Sequence, residues 1–123
     1  MWLMTKYGFY SLVQKKPDEY HVRSRERRDL ENLIKGVPLP DSRIVDTPDA
    51  DYACRIVTDG ATVLAILAFL GRTLDYSNFK GKIATIPDQR HKPYHEVWQV
   101  MADALGAYGR PVRRGGKNDR EAR

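Results

Sequence analysis

Cysteine is nearly absent from this chain: Cys54 stands alone among 123 residues. An internal disulfide is therefore excluded, and a reducing cytosol is the expected setting. Long apolar runs are missing as well. The most apolar stretch, "ATVLAILAFL", is too short to cross a bilayer, and no charged-then-apolar leader opens the sequence, so no membrane partner is expected. No internal repeat recurs at a period of about 20 to 50 residues. Catalytic signatures are lacking too: there is no nucleophile elbow, no phosphate-cradling glycine loop and no paired-carboxylate pattern. His91 and His95 lie beside Glu96, yet not in the arrangement of a zinc peptidase, and Pro93 is expected to leave His91 ahead of the last helix. Cys54 falls in a predicted strand with no neighbouring histidine to activate it. The acids of "DTPDAD" fit a turn. The expectation is a protein that is not an enzyme and needs no metal or cofactor.

Acidic balance is also lacking, but only locally. The formal net charge is +5. From Gly109 onward the chain carries six basic and two acidic side chains, whereas residues 1 to 108 hold 15 basic and 14 acidic ones. The excess belongs to "GRPVRRGGKNDREAR", which has too little apolar surface to offset its ordering entropy and is expected to be a disordered tail over 109–123. Arg110, Arg113 and Arg114 could touch phosphates of a nucleic acid; a solubilising terminus is the plainer use. Residues 1–108 are expected to form one domain.

What is present reads as alternating strands and helices. "MWLMTKYGFYSLVQKK" is a strand bent at Gly8, or two short strands meeting there. Trp2, Tyr7, Phe9 and Tyr10 can form the core with the helices or cover a self-association face, with Trp2 and Phe9 assigned to the core. A second strand over Tyr20–Arg25 sets Tyr20, Val22 and Ser24 on one face and His21, Arg23 and Arg25 on the other. Leu30, Leu33 and Ile34 have helical spacing over Glu26–Lys35, closed by Gly36 as a left-handed cap, with Val37 folding back and Pro38 and Pro40 stopping the helix.

"SRIVDTPDADYACRIVTD" predicts a hairpin turning at Thr47–Asp51, with Tyr52, Cys54 and Ile56 on one face and Ala53, Arg55 and Val57 on the other. Thr58 or Asp59 caps a buried core helix over Ala61–Arg72. A short helix near Ser77–Ile83 is followed by one that Pro93 opens, its stripe formed by Tyr94, Val97, Trp98, Met101, Leu105 and Tyr108. The fold class is α+β: an antiparallel sheet of about four strands, in ββαββαα order, with helices packed on one face.

Arginines in this balanced body are the best chemical signal. Arg23 and Arg25 project from one strand face, and Arg55 sits beside Ala53 and Val57, where a cation is costly without a partner. The planar guanidinium grips phosphate or carboxylate at two points. Lys80 and Arg90 lie in a polar segment with Tyr76, Asn78, Phe79 and Tyr94, and cations among aromatics can hold a phosphorylated ligand by charge and its base by stacking. Internal pairing of the arginines with Asp46, Asp51 or Asp75 is the alternative.

The segments "MWLMTKYGFYSLV", "VRSR", "DADYACRI", "LDYSNFK" and "YHEVW" resemble, in this order, a group of small bacterial and phage proteins of unassigned function. The similarity spans about residues 1 to 105 and follows the pattern M-W-x-x-T-x-x-G-F-[FY]-S-x-V, V-R-x-R, D-Y-x-x-R, D-Y-x-N-F-K and Y-x-x-V-W. The matched polar positions are Thr5, Ser11, Arg23, Arg25, Tyr52, Arg55, Asp75, Tyr76, Asn78, Lys80 and Tyr94. The resemblance implies a shared pocket or architecture and supplies no activity; a phage setting would fit capture of a nucleotide immune signal in the host cytoplasm or the blocking of a defence complex.

The expected function is non-enzymatic binding of a phosphorylated small molecule. Arg23, Arg25, Arg55 and Lys80 would contact the anion, Tyr52, Tyr76 and Phe79 would stack, and Asn78 would bond base or ribose. A homodimer would let so small a chain enclose a nucleotide. The alternatives are a nucleic-acid or ribonucleoprotein-binding module using the tail, and a protein–protein inhibitor of a host defence complex.

Overall fold

The structure, a computed structural model, describes residues 1–88 and 90–109. Beyond Gly109 the expected tail, with Arg110, Arg113 and Arg114, lies outside the described residues. Two compact units are present, Met1–Phe79 and a second that starts at Lys80.

The first unit is built on a five-stranded antiparallel sheet. Its strands are β1 (Trp2–Met4), β2 (Phe9–Lys16), β3 (Glu19–Ser24), β4 (Ile44–Asp46) and β5 (Cys54–Thr58), in the spatial order β1-β2-β3-β5-β4. Helix α1 (Arg27–Gly36) follows β3, and α2 (Gly60–Arg72) follows β5. The second unit holds α4 (His91–Leu105), preceded by the short α3 (Phe79–Ala84) that begins at the boundary. The α+β class is as expected, with one strand more because the opening segment forms two strands.

Those two strands meet at a turn built by Thr5. Its N–H donates to Gly8 O at 3.0 Å, and its hydroxyl accepts from the N–H groups of Tyr7 and Gly8 at 3.1 and 3.2 Å. Gly8 is required by contact: a Cβ there would overlap the Asp29 carboxyl group. Asp29 is buried and accepts the Phe9 N–H at 3.1 Å, while its own carbonyl accepts the Tyr10 hydroxyl at 2.6 Å. A buried carboxylate held this way ties α1 to the start of β2.

Alternation along the strands decides the core. Leu12, Val22, Ile56 and Ile44 form one cross-strand row, joined by Tyr10 and Cys54. Leu30, Leu33 and Ile34 of α1 and Ile66 of α2 close over them. Each wholly buried leucine or isoleucine contributes roughly 2–3 kcal/mol relative to an exposed one. Both helices of this unit therefore cover the same face of the sheet.

Several sequence expectations need correction. Gly36 is not a left-handed cap: Val37 is the capping residue, with φ −121°, and Gly36 instead lets Phe69 of α2 approach so closely that a Cβ would overlap its ring. Helix α2 is not buried all round. Asp59 caps it through Thr62 N–H at 2.9 Å, Ile66 is buried, and Leu64 is 69% exposed, because a helix lying on a sheet buries only one side. The stripe on α4 is likewise buried mainly at Tyr94, with Val97, Met101, Leu105 and Tyr108 exposed. Pro93 is the third residue of α4, so His91 lies inside the helix, not ahead of it. Trp2 is 74% exposed and Phe9 is half-buried on the face away from the helices, so neither belongs to the core.

Candidate functional site

Period two sends Phe9, Ser11 and Val13, His21 and Arg23, Arg55 and Val57, and Val45 to the face opposite the helices. Ser11, Arg23, Arg55 and Val45 form a register row across four strands, which places Arg23 and Arg55 directly opposite one another. Arg23 Nη2 donates to Ser11 Oγ at 2.6 Å. Its Nε is shielded from solvent and has no hydrogen-bond partner among the described residues.

Arg55 is oriented from two sides. Its Nη1 lies 3.0 Å from His21 Nδ1, and its Nε donates to Thr47 Oγ1 at 3.4 Å. A guanidinium has only donors, so Nδ1 accepts and the ring proton sits on Nε2, which faces Glu19 Oε2 at 3.4 Å. The Thr47 hydroxyl also donates to Tyr52 O at 2.7 Å, and its N–H donates to Ala53 O at 2.7 Å. One threonine thus couples Arg55 to the turn that carries Tyr52.

Tyr52 crosses to the arginine face. Strand β5 begins only at Cys54, so the alternation that would set Tyr52 with Cys54 and Ile56 does not reach it. Its ring centroid is 4.8 Å from the Arg23 guanidinium and 4.5 Å from that of Arg25, and the residue is 6% exposed. Arg25 also lies 5.7 Å from the Phe9 ring, which is 6.3 Å from Trp2. The result is a run of alternating rings and cations: Trp2, Phe9, Arg25, Tyr52, Arg23. Such contacts hold guanidinium planes in place without neutralising them.

Of the predicted ligand set, Arg23, Arg25, Tyr52 and Arg55 are brought together. Two of the three carboxylates considered for them go elsewhere: Asp46 pairs with Arg27 at 3.3 Å and Asp75 with Lys6 at 2.9 Å. Among the described residues, no ion pair engages Arg23, Arg25 or Arg55. Tyr76 and Phe79 lie apart from this face, 5.8 Å from each other, with Tyr76 also 5.8 Å from the Lys6 ammonium. Tyr76 lines a cleft that none of the three arginines reaches. Asn78 is exposed in the same segment. Lys80 belongs to the second unit, where its ammonium sits 4.2 Å over Trp98. Arg90 is held by Asp88 at 2.6 Å, an internal pair.

Trp2, Phe9, Ser11, His21 and Thr47 were absent from the predicted set. The parity of "FYSLV" carries the signal for Phe9 and Ser11, since Tyr10 and Leu12 claim the other face. His91 and His95 are exposed, and no metal-ligating cluster occurs among the described residues. Burial pushes the Cys54 thiol above its ordinary value, and the sulfur lies 3.4 Å from Ser24 O, so it is a core group. Among the described residues no helix is long and apolar enough to cross a membrane. No family model, curated protein or solved structure matches the chain, and the motif resemblance rests on its quoted residues alone.

Proposed function

We propose that the protein binds a phosphorylated, nucleotide-sized ligand on the sheet face formed by Arg23, Arg25 and Arg55, and holds it without turnover. The observation that supports this reading is the arginine group without a carboxylate among the described residues, in which Arg23 Nε is desolvated and finds no acceptor there. A buried donor left unmade costs about 1–3 kcal/mol. A turn of the Arg23 side chain toward the open face would let phosphate oxygens satisfy it while neutralising the opposed cations. The exposed ring of Trp2 and the half-buried ring of Phe9 supply a surface on which a base can stack. His21, the imidazole on this face, is engaged at both nitrogens, which favours binding over proton transfer. In the phage setting that the motif resemblance implies, the role is sequestration of a nucleotide immune signal. A thermal-shift screen of nucleotides, cyclic dinucleotides and ADP-ribose derivatives tests the reading: at least one class should stabilise the protein by about 2.7 kcal/mol at 100-fold excess over its Kd. Absence of stabilisation by every class at millimolar concentration would contradict it.

A further inference from the structure

Strand β1 is an edge of the sheet, and its hydrogen bonds fix which of its peptide groups turn outward. Met1 and Leu12 exchange both bonds, at 2.9 and 2.8 Å, and Thr5 N–H donates to Gly8 O at 3.0 Å. Bonded and non-bonded pairs alternate along an antiparallel ladder. With the register Trp2↔Ser11, Leu3↔Tyr10 and Met4↔Phe9, the inward-bonding residues are Met1, Leu3 and Thr5. Trp2 and Met4 therefore direct their N–H and C=O groups away from β2. Among the described residues, no hydrogen bond reaches those groups.

A second observation lies beside the first. The Leu3 side chain is on the helix-covered face, where it borders a cleft of about 260 Å³ walled by Leu67, Leu70, Leu74 and Tyr76. That volume is below the ~300–1,000 Å³ of sites that enclose whole small molecules, and it suits one large apolar side chain. Lys6, pinned by Asp75 at 2.9 Å, marks the polar rim.

We propose that β1 receives an extended peptide segment of a partner protein as a sixth, antiparallel strand, with an aliphatic or aromatic side chain seated in this cleft. Antiparallel addition continues the pairing of the whole sheet. The peptide residue facing Leu3 shares its face and enters the cleft, while its two neighbours exchange backbone bonds with Trp2 and Met4. Backbone bonds supply affinity, and the cleft selects the apolar anchor. The cleft lies on the opposite side of the sheet from the arginine face, and the two surfaces meet at Trp2, whose ring is on the arginine face and whose backbone is on the edge.

The test uses a fluorescein-labelled, end-blocked pentapeptide Thr-Val-Leu-Val-Thr, read by anisotropy against the full chain. Two companions carry N-methyl groups on both valines, or Asp in place of Leu. The parent should bind, and each companion should bind at least about tenfold more weakly. Leu74→Glu, at a position 66% exposed, should weaken the parent by about tenfold with the circular dichroism unchanged. Leu70→Ala gives an independent reading of the cleft. Equal affinity for the N-methylated peptide, no binding up to about 1 mM, or indifference to both variants would overturn the proposal. So would a concentration-dependent dimer that Leu74→Glu dissociates, since a second copy would then occupy the edge.

Discussion

Arg23 and Arg55 stand directly opposite each other on β3 and β5, and neither has a carboxylate partner among the described residues. Like charges in facing positions destabilise a sheet, so this arrangement costs the unliganded protein stability. Inorganic phosphate or pyrophosphate should raise the melting temperature of the wild-type chain. The rise should be much smaller for the Arg23→Gln, Arg55→Gln double variant. Equal rises in both proteins would assign the anion effect to another surface.

Arg25 is exposed and, among the described residues, held only by the rings of Tyr52 and Phe9. Its replacement by Gln should leave the stability of the free protein within about 0.5 kcal/mol of wild type. Affinity for the stabilising nucleotide should fall about tenfold, because one charge-assisted contact is lost. Calorimetry of the two proteins separates these effects.

Tyr52 is buried between guanidiniums and its carbonyl is fixed by Thr47. Tyr52→Phe should cost less than about 0.5 kcal/mol, whereas Tyr52→Ala should cost about 3 kcal/mol by opening a cavity under two cations. Urea unfolding checks both. Similar costs for Phe and Ala would point to the hydroxyl rather than the ring.

Gly36 sits at the end of α1 against the Phe69 ring. An exposed helical Gly→Ala change normally gains up to about 1 kcal/mol. Here Gly36→Ala should instead lose roughly 1–3 kcal/mol through overpacking. Pairing it with Phe69→Leu should recover part of the loss, a coupling that a double-mutant cycle reads directly.

Burial raises the Cys54 thiol above its ordinary value. The folded state therefore holds this proton more tightly than the unfolded state. The associated stability is present below the ordinary thiol range and is lost as pH rises through the folded value. Alkylation by iodoacetamide at mildly alkaline pH should consequently track global unfolding. Rapid modification of the native protein would show the thiol to be accessible.

The elements whose patterns report one face were legible in the sequence. "YHVRSR" alternates cleanly, and both Arg23 and Arg25 lie on the face that alternation gave them. Leu30, Leu33 and Ile34 marked the buried side of α1 because helical spacing and burial coincide there. Arg55 was recognisable from its apolar neighbours. Composition misled at Trp2: a large aromatic ring reads as core, but an edge strand can place it on the uncovered face. The apolar run of α2 misled in the same way, since hydropathy cannot say how many sides of a helix will be covered. Tyr52 followed neither pattern, because a bend before β5 breaks the parity. Gly36 carries its reason in Phe69, far along the chain, and no local signal encodes that contact.

The most direct measurement of the central claim observes the arginine side chains themselves. In a ¹H–¹⁵N spectrum of the guanidinium Nε–H groups, pyrophosphate or ADP-ribose should shift the Arg23 resonance downfield as its unpartnered donor acquires a phosphate acceptor. The Arg25 and Arg55 resonances should move along the same saturation curve. Titration to about 10 mM with all three signals unmoved would contradict the assignment of this face as the ligand site.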